Sequence, residues 1–146
     1  MLEELRSAIE QPFPFITNCG LKLEALEFGY TKLVMPLGGN GNHINTMYAG
    51  ALFTLSEMAG GALSIGSFDM NVFYPIIKDM QIKYKAPART DISVEMRLTT
   101  GQINELIETA SKDGKANFTM ETELKNIAGE IVATTAATYQ LRKIAA

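Results

Sequence analysis

A single stretch, Asn42 to Ile65, limits what this chain can fold into more than any other. It is the longest run dominated by apolar and small residues, and Glu57 stands in its middle. From Leu33 to Ile77, only Glu57 and Asp69 carry a full charge at neutral pH. A lone carboxylate is costly to bury, so one in such surroundings is usually kept for its chemistry. No proline interrupts the stretch, and Thr46 stands where a helix cap is expected. The expectation is a buried central helix carrying the reactive group. At helical spacing Leu52, Leu55, Ala59 and Ala62 form an apolar stripe suited to a sheet. A second stripe, Met47, Gly50, Thr54, Glu57, Gly61 and Ser64, is mostly small and slightly polar. Gly60 and Gly61 each cost a helix interior about 1 kcal/mol against alanine. That cost is explained if a backbone or a thin ligand must come close beside Glu57. Tight helix packing, with Glu57 at a wet end, is the competing explanation.

Such a stretch can be mistaken for a membrane span. A carboxylate at its centre costs about 2.5–3.5 kcal/mol on insertion scales, and basic flanks are missing. The chain of 146 residues is expected to form one domain with a real core. Its net charge of −3 offers no basic field for nucleic acid. The one cysteine, Cys19, has no internal partner, and the N-terminus lacks the pattern of a secretory signal. A reducing cytoplasm is the expected setting. One histidine and one cysteine leave no cluster with metal-ligand spacing, and Gly38-Gly39-Asn40-Gly41 lacks the lysine of a phosphate loop. No metal or cofactor is expected. Any catalysis falls to a carboxylate, hydroxyls and backbone donors.

Around the helix the chain alternates. Leu2, Leu5 and Ile9 suggest a short covering helix that Pro12 and Pro14 end. Leu21 to Phe28 and Thr31 to Leu37 read as a hairpin turning at Gly29-Tyr30, with a phase slip at Leu26 and Phe28 that suggests a bulge. Four more strands follow. Ile76, Met80, Ile82 and Tyr84 share a face, as do Ile92, Val94, Met96 and Leu98. Phe118, Met120 and Leu124 form a third row, and Ile131, Ala133, Ala137, Tyr139 and Leu141 a fourth. Gln102 to Ser111 reads as a short helix, and Asp113-Gly114 and Ala128-Gly129 as turns. Six strands with one apolar face and one long apolar helix predict an α+β domain, a curved antiparallel sheet wrapped around the helix.

That arrangement resembles the hotdog fold, and Asn42 to Glu57 resembles the active-site segment of its thioesterases. Acyl-CoA thioesterases of the phenylacetate-pathway type carry Asn, six residues later His-Gly-Gly, and an acid nine positions after that His. This chain has Asn42, Tyr48-Ala49-Gly50 and Glu57 at those spacings, departing at Tyr48 and Ala49. It is also similar to a second thioesterase branch with an aromatic-Ala/Gly-Gly segment. Lys83 to Ala88 resembles the family's strand end, where CoA often lies. The resemblance implies an acyl-CoA or acyl-carrier thioesterase, with Glu57 as base or nucleophile and the Ala49 N–H as oxyanion donor. Asn42 would hold the carbonyl oxygen or the attacking water, or would simply order its loop. Tyr48, Gly50 and Thr54 would line the substrate. Lys83 and Lys85 would meet CoA phosphates, or face solvent as strand-end lysines do.

Ala49 and Glu57 lie eight residues apart, roughly 12 Å along a helix rising 1.5 Å per residue. One thioester cannot sit about 3 Å from both. If both act on one substrate they come from different chains, giving a homodimer with composite sites, or a tetramer of such dimers. The same fold could also serve as a non-catalytic acyl-thioester binding or sensing module. A hotdog hydratase is disfavoured, because no histidine follows His43.

Overall fold

The computed structural model describes residues 2–145. Helix α1 (Leu2–Glu10) forms where its apolar spacing predicts, and Arg6 ties it to the sheet by donating to the Leu23 carbonyl at 2.8 Å. A second helix, α2 (Pro14–Cys19), was not foreseen. Pro14 stands in its first turn, where a missing N–H is no loss, so the proline expected to stop a helix starts one.

Strands β1 (Lys22–Glu27), β2 (Tyr30–Met35), β3 (Phe73–Tyr84), β4 (Ile92–Arg97), β5 (Lys115–Lys125) and β6 (Ile131–Lys143) form one sheet. Its order is β1-β2-β4-β5-β6-β3, and every pairing is antiparallel. The long helix α3 (Ala49–Ser67) lies across one face, chiefly against β2 and β4. The expected hotdog curvature, a sheet wrapped around this helix, is not what forms. The sheet is open, with β1 and β3 as its two edges. Wrapping would need β3 to fold over the helix, yet the helix-facing Ile77, Met80 and Ile82 of β3 stay only half-buried. One flank of α3 is therefore uncovered.

The predicted helix stripe is correct: Leu52, Leu55, Ala59 and Ala62 are all buried. A large aliphatic side chain buried in this way contributes about 1.5–3 kcal/mol. Bulges correct two strand faces, and the bulge expected in β1 is present. In β3 the register shifts between Ile77 and Asp79, so Ile77, not Ile76, shares the inner face with Met80 and Ile82. In β1 the shift falls between Leu23 and Ala25; Leu26 stays in the core and Phe28 turns outward. Between β5 and β6 the shift at Leu124/Lys125 leaves Ile131 exposed rather than buried. The short helix around Gln102 is α4 (Thr100–Asp113), opened by a capping box in which Thr99 and Gln102 bond each other's backbone N–H.

Candidate active site

The start of α3 is set by its loop. Met47 bridges Gly41 and donates its N–H to the Ala88 carbonyl at 2.8 Å. That holds Thr46 below the helix, buried, so the predicted Thr46 cap does not exist. Tyr48 takes the cap position in extended conformation, φ −58° and ψ 137°, with no side-chain bond. A helix without a capping side chain keeps free donors in its first turn. The N–H groups of Ala49 and Gly50 have no acceptor among the described residues. Tyr84, at the end of β3, donates its hydroxyl to the Ala49 carbonyl at 3.1 Å and fixes this corner.

Two turns further on, Glu57 is half-buried on the uncovered flank. Its carboxylate has no hydrogen-bond or ion-pair partner among the described residues, and burial alone raises its pKa above the ordinary 4.5. Desolvation without a compensating partner makes a carboxylate a stronger base. Along the same flank, Ala49 and Phe53 are exposed and Gly61 and Ile65 half-exposed. The two glycines beyond Glu57 differ. At Gly60 the Tyr139 ring fills the space a Cβ would need, whereas Gly61 opens on empty space.

The other expected site residues scatter. Asn42 does not reach Glu57: its Oδ1 accepts from the N–H of Ile44 and Thr46, and its Nδ2 donates to the Thr46 hydroxyl. Both ends of that amide order the loop leading into α3. The Tyr48 ring lies over Gly50, and the Thr54 hydroxyl returns to the Gly50 carbonyl at 2.7 Å, so Thr54 serves its own helix. Lys83 lines a trough of about 680 Å³ on the sheet face away from α3, among Glu95, Glu121, Glu123 and Lys125. Lys83 therefore does not share the Glu57 flank. Lys85 is exposed just past β3, with its N–H on the Val132 carbonyl. His43 is exposed in the loop. No group of three metal-ligating side chains occurs among the described residues, and none of their helices is long and apolar enough to cross a membrane.

Two polar features under the helix went unforeseen. The hydroxyls of Ser56, Thr122 and Thr135 form a buried cluster, Ser56 Oγ to Thr135 Oγ1 being 2.6 Å. Tyr139, buried beside them, shares its one hydroxyl proton between the carbonyls of Ser56 at 3.3 Å and Glu57 at 3.4 Å. Burial, and next the Glu57 charge, push the Tyr139 pKa far up, so it remains a neutral donor. The available signal was two polar residues, Thr135 and Tyr139, on the otherwise apolar inner face of the last strand.

A family model, domain of unknown function DUF4442, matches residues 3–141. Among solved structures, a Pseudomonas aeruginosa protein of unknown function, named a probable thioesterase, is 47% identical with a TM-score of 0.94. The match covers 99% of this chain and 97% of that one. A Haemophilus influenzae thioesterase is 11% identical with a TM-score of 0.77, over 98% of this chain and 91% of that one. A point mutant of a second Pseudomonas aeruginosa thioesterase is 15% identical with a TM-score of 0.76, over 99% and 95%. At those lower identities the likeness is one of fold. Structural homology to hotdog-type thioesterase structures is strong, and no phenylacetate-pathway branch is distinguished within it. No curated protein matches the chain.

Proposed function

Since this chain belongs to the DUF4442 family, a domain of unknown function, we propose from its site that it is an acyl-CoA or acyl-carrier thioesterase acting as a two-fold dimer. The observation that carries the reading is the Glu57 carboxylate, half-buried, unpartnered and made more basic by desolvation. The relative named a probable thioesterase, at 47% identity over nearly the whole chain, supports the same chemistry.

Glu57 takes a proton from water as the water oxygen attacks the thioester carbonyl carbon. The carbonyl π electrons move onto oxygen, and backbone N–H groups at a helix N-terminus hold the resulting oxyanion. Collapse of the tetrahedral intermediate breaks the C–S bond; Glu57 returns the proton to the thiolate, leaving a carboxylic acid and a free thiol. The N–H of Ala49 on the same chain lies roughly 12 Å from Glu57 along the helix, too far to grip that oxygen. The donor is therefore the partner subunit's Ala49. Antiparallel packing of two α3 helices along their uncovered flanks brings each Glu57 opposite that donor. Phe53, midway between positions 49 and 57 and 38% exposed, then falls on the two-fold axis. The unpaired edge of β3 beside this flank supports the same partner.

The test is release of free thiol from a panel of acyl-CoAs by wild type and Glu57→Gln. Wild type turns over at least one acyl-CoA, and the variant loses at least about 100-fold, the scale of a missing general base. A fully active variant would remove Glu57 from the mechanism. A wild type that binds acyl-CoAs but hydrolyses none would favour a binding or sensing module.

A further inference from the structure

Glu57 can act only if its turn of α3 is held at one rotation about the helix axis. Most of the underside of α3 is apolar, with Leu52, Leu55, Ala59 and Ala62 packed on the sheet. Apolar contact is non-directional and resists rotation weakly. Two polar ties reach the helix from β6, and both arrive at the Glu57 turn. The Thr135 hydroxyl meets the Ser56 hydroxyl at 2.6 Å. Four residues along the same face of the strand, the Tyr139 hydroxyl meets the Ser56 and Glu57 carbonyls. The ring of Tyr139 is seated where Gly60 lacks a side chain, and Phe118 stacks behind it with centroids 5.5 Å apart.

We infer that Tyr139 is a positioning residue for catalysis: its hydroxyl, through the backbone carbonyls of Ser56 and Glu57, sets the rotation of the helix turn that presents the carboxylate. This rests on the reading of Glu57 as the catalytic carboxylate. The ring edge and the hydroxyl both fill the Gly60 notch, so the separate role of the hydroxyl is read from its bonds to the Ser56 and Glu57 carbonyls. A buried hydroxyl with no partner is unfavourable, and these carbonyls are its acceptors. A side chain at the outer radius of a helix, about 5–6 Å, moves about 1 Å for a 10° rotation. A misplacement of that size can cost about 100-fold in rate. Among the described residues, Glu57 is the titratable group that bears on Tyr139, and no other charged group bears on Glu57.

Tyr139→Phe keeps the ring and removes the tie. The experiment compares kcat, KM and unfolding temperature for wild type, Tyr139→Phe, Glu57→Gln, the double variant, Thr135→Val and Thr31→Val. Thr31 is a buried hydroxyl bonded to the Ala25 carbonyl at 3.0 Å, on β2 and without a tie to α3, so its loss reports stability alone. Tyr139→Phe lowers kcat about tenfold with KM changed less than about twofold, a partial form of the misplacement penalty. Thr135→Val shows the same kcat-only pattern to a smaller degree, and Thr31→Val leaves kcat at the wild-type value. In the Glu57→Gln background, Tyr139→Phe has no further effect on residual turnover, because the two act as one unit. Unchanged kcat in Tyr139→Phe, an undiminished effect without Glu57, or an equal kcat loss in Thr31→Val would each overturn the inference while the thioesterase reading stands. Full activity in Glu57→Gln would bring down both.

Discussion

Gly60 and Gly61 are neighbours in one helix, yet their replacement by alanine has opposite consequences. Both gain about 1 kcal/mol of helix propensity from the change. At Gly61 a methyl meets nothing within 4 Å in the protomer, so no contact inside the chain offsets the gain. At Gly60 it collides with the far end of the Tyr139 ring. That ring is 2% exposed and backed by Phe118, so it has no free direction in which to swing. Overpacking of this kind costs about 1–3 kcal/mol, which cancels or reverses the propensity gain. The two variants should therefore differ by about 1–3 kcal/mol, with Gly61→Ala the more stable. At about 2–4 °C per kcal/mol for a chain of this size, the gap in melting temperature is several degrees. The assay is thermal unfolding by circular dichroism at one fixed protomer concentration, because association alters apparent stability. Equal stability of the two variants, or a more stable Gly60→Ala, would refute the placement of Tyr139 against the helix.

Glu57→Gln should stabilise the protein at neutral pH. Burial raises the folded pKa of Glu57 above its ordinary 4.5, so the native state holds the proton more tightly than the unfolded state. Stability from this group is then fully present below pH 4.5 and is lost as pH rises through the raised folded value. Denaturant titrations should show the gain of the Gln variant at pH 7 and none below about pH 4; a gain independent of pH contradicts the desolvation argument. For the same reason, thiol release by the wild type should decline toward acid with a midpoint above 4.5, and a midpoint below it contradicts a desolvated base. Phe53→Lys places two like charges across the proposed axis, so sedimentation should show monomers and turnover should fall with them. A stable, active dimer of this variant would move the axis elsewhere.

The sequence located the helix and its buried stripe because Leu52, Leu55, Ala59 and Ala62 obey one period within a nearly uncharged stretch. The strands were equally legible in composition, but not in phase. A bulge adds one residue without changing composition, so alternation alone puts Ile76 and Ile131 on the wrong face. Thr46 looked like a cap because local sequence cannot show the Met47 to Ala88 hydrogen bond that draws it below the helix. Enclosure of α3 was expected from the count of apolar faces. That count treats β3 as covered, whereas its inner residues are shared with an open flank. The link from Lys83 to CoA rests on the resemblance of Lys83 to Ala88 to the family's strand end. Strand alternation opposite Tyr84 already placed it on the other face of the sheet. Tyr139 reads as core within its apolar row, and its tie to the helix emerges only when its hydroxyl is traced across 82 residues to the Glu57 carbonyl.

The claim that matters most is that carboxylate and oxyanion donor belong to different subunits, and subunit mixing tests it directly. Ala49 is the first residue of α3, and proline is tolerated there. Tyr48, with ψ 137°, already has the conformation a following proline requires. Ala49→Pro therefore deletes the donor with little change to the helix, and Glu57→Gln deletes the base. Each variant alone should be nearly inactive. After subunit exchange, half of the dimers are mixed, and each of those has one intact site of two, restoring about one quarter of wild-type turnover. If both groups came from one chain, no mixed dimer would hold an intact site, and the mixture would stay as inactive as its components.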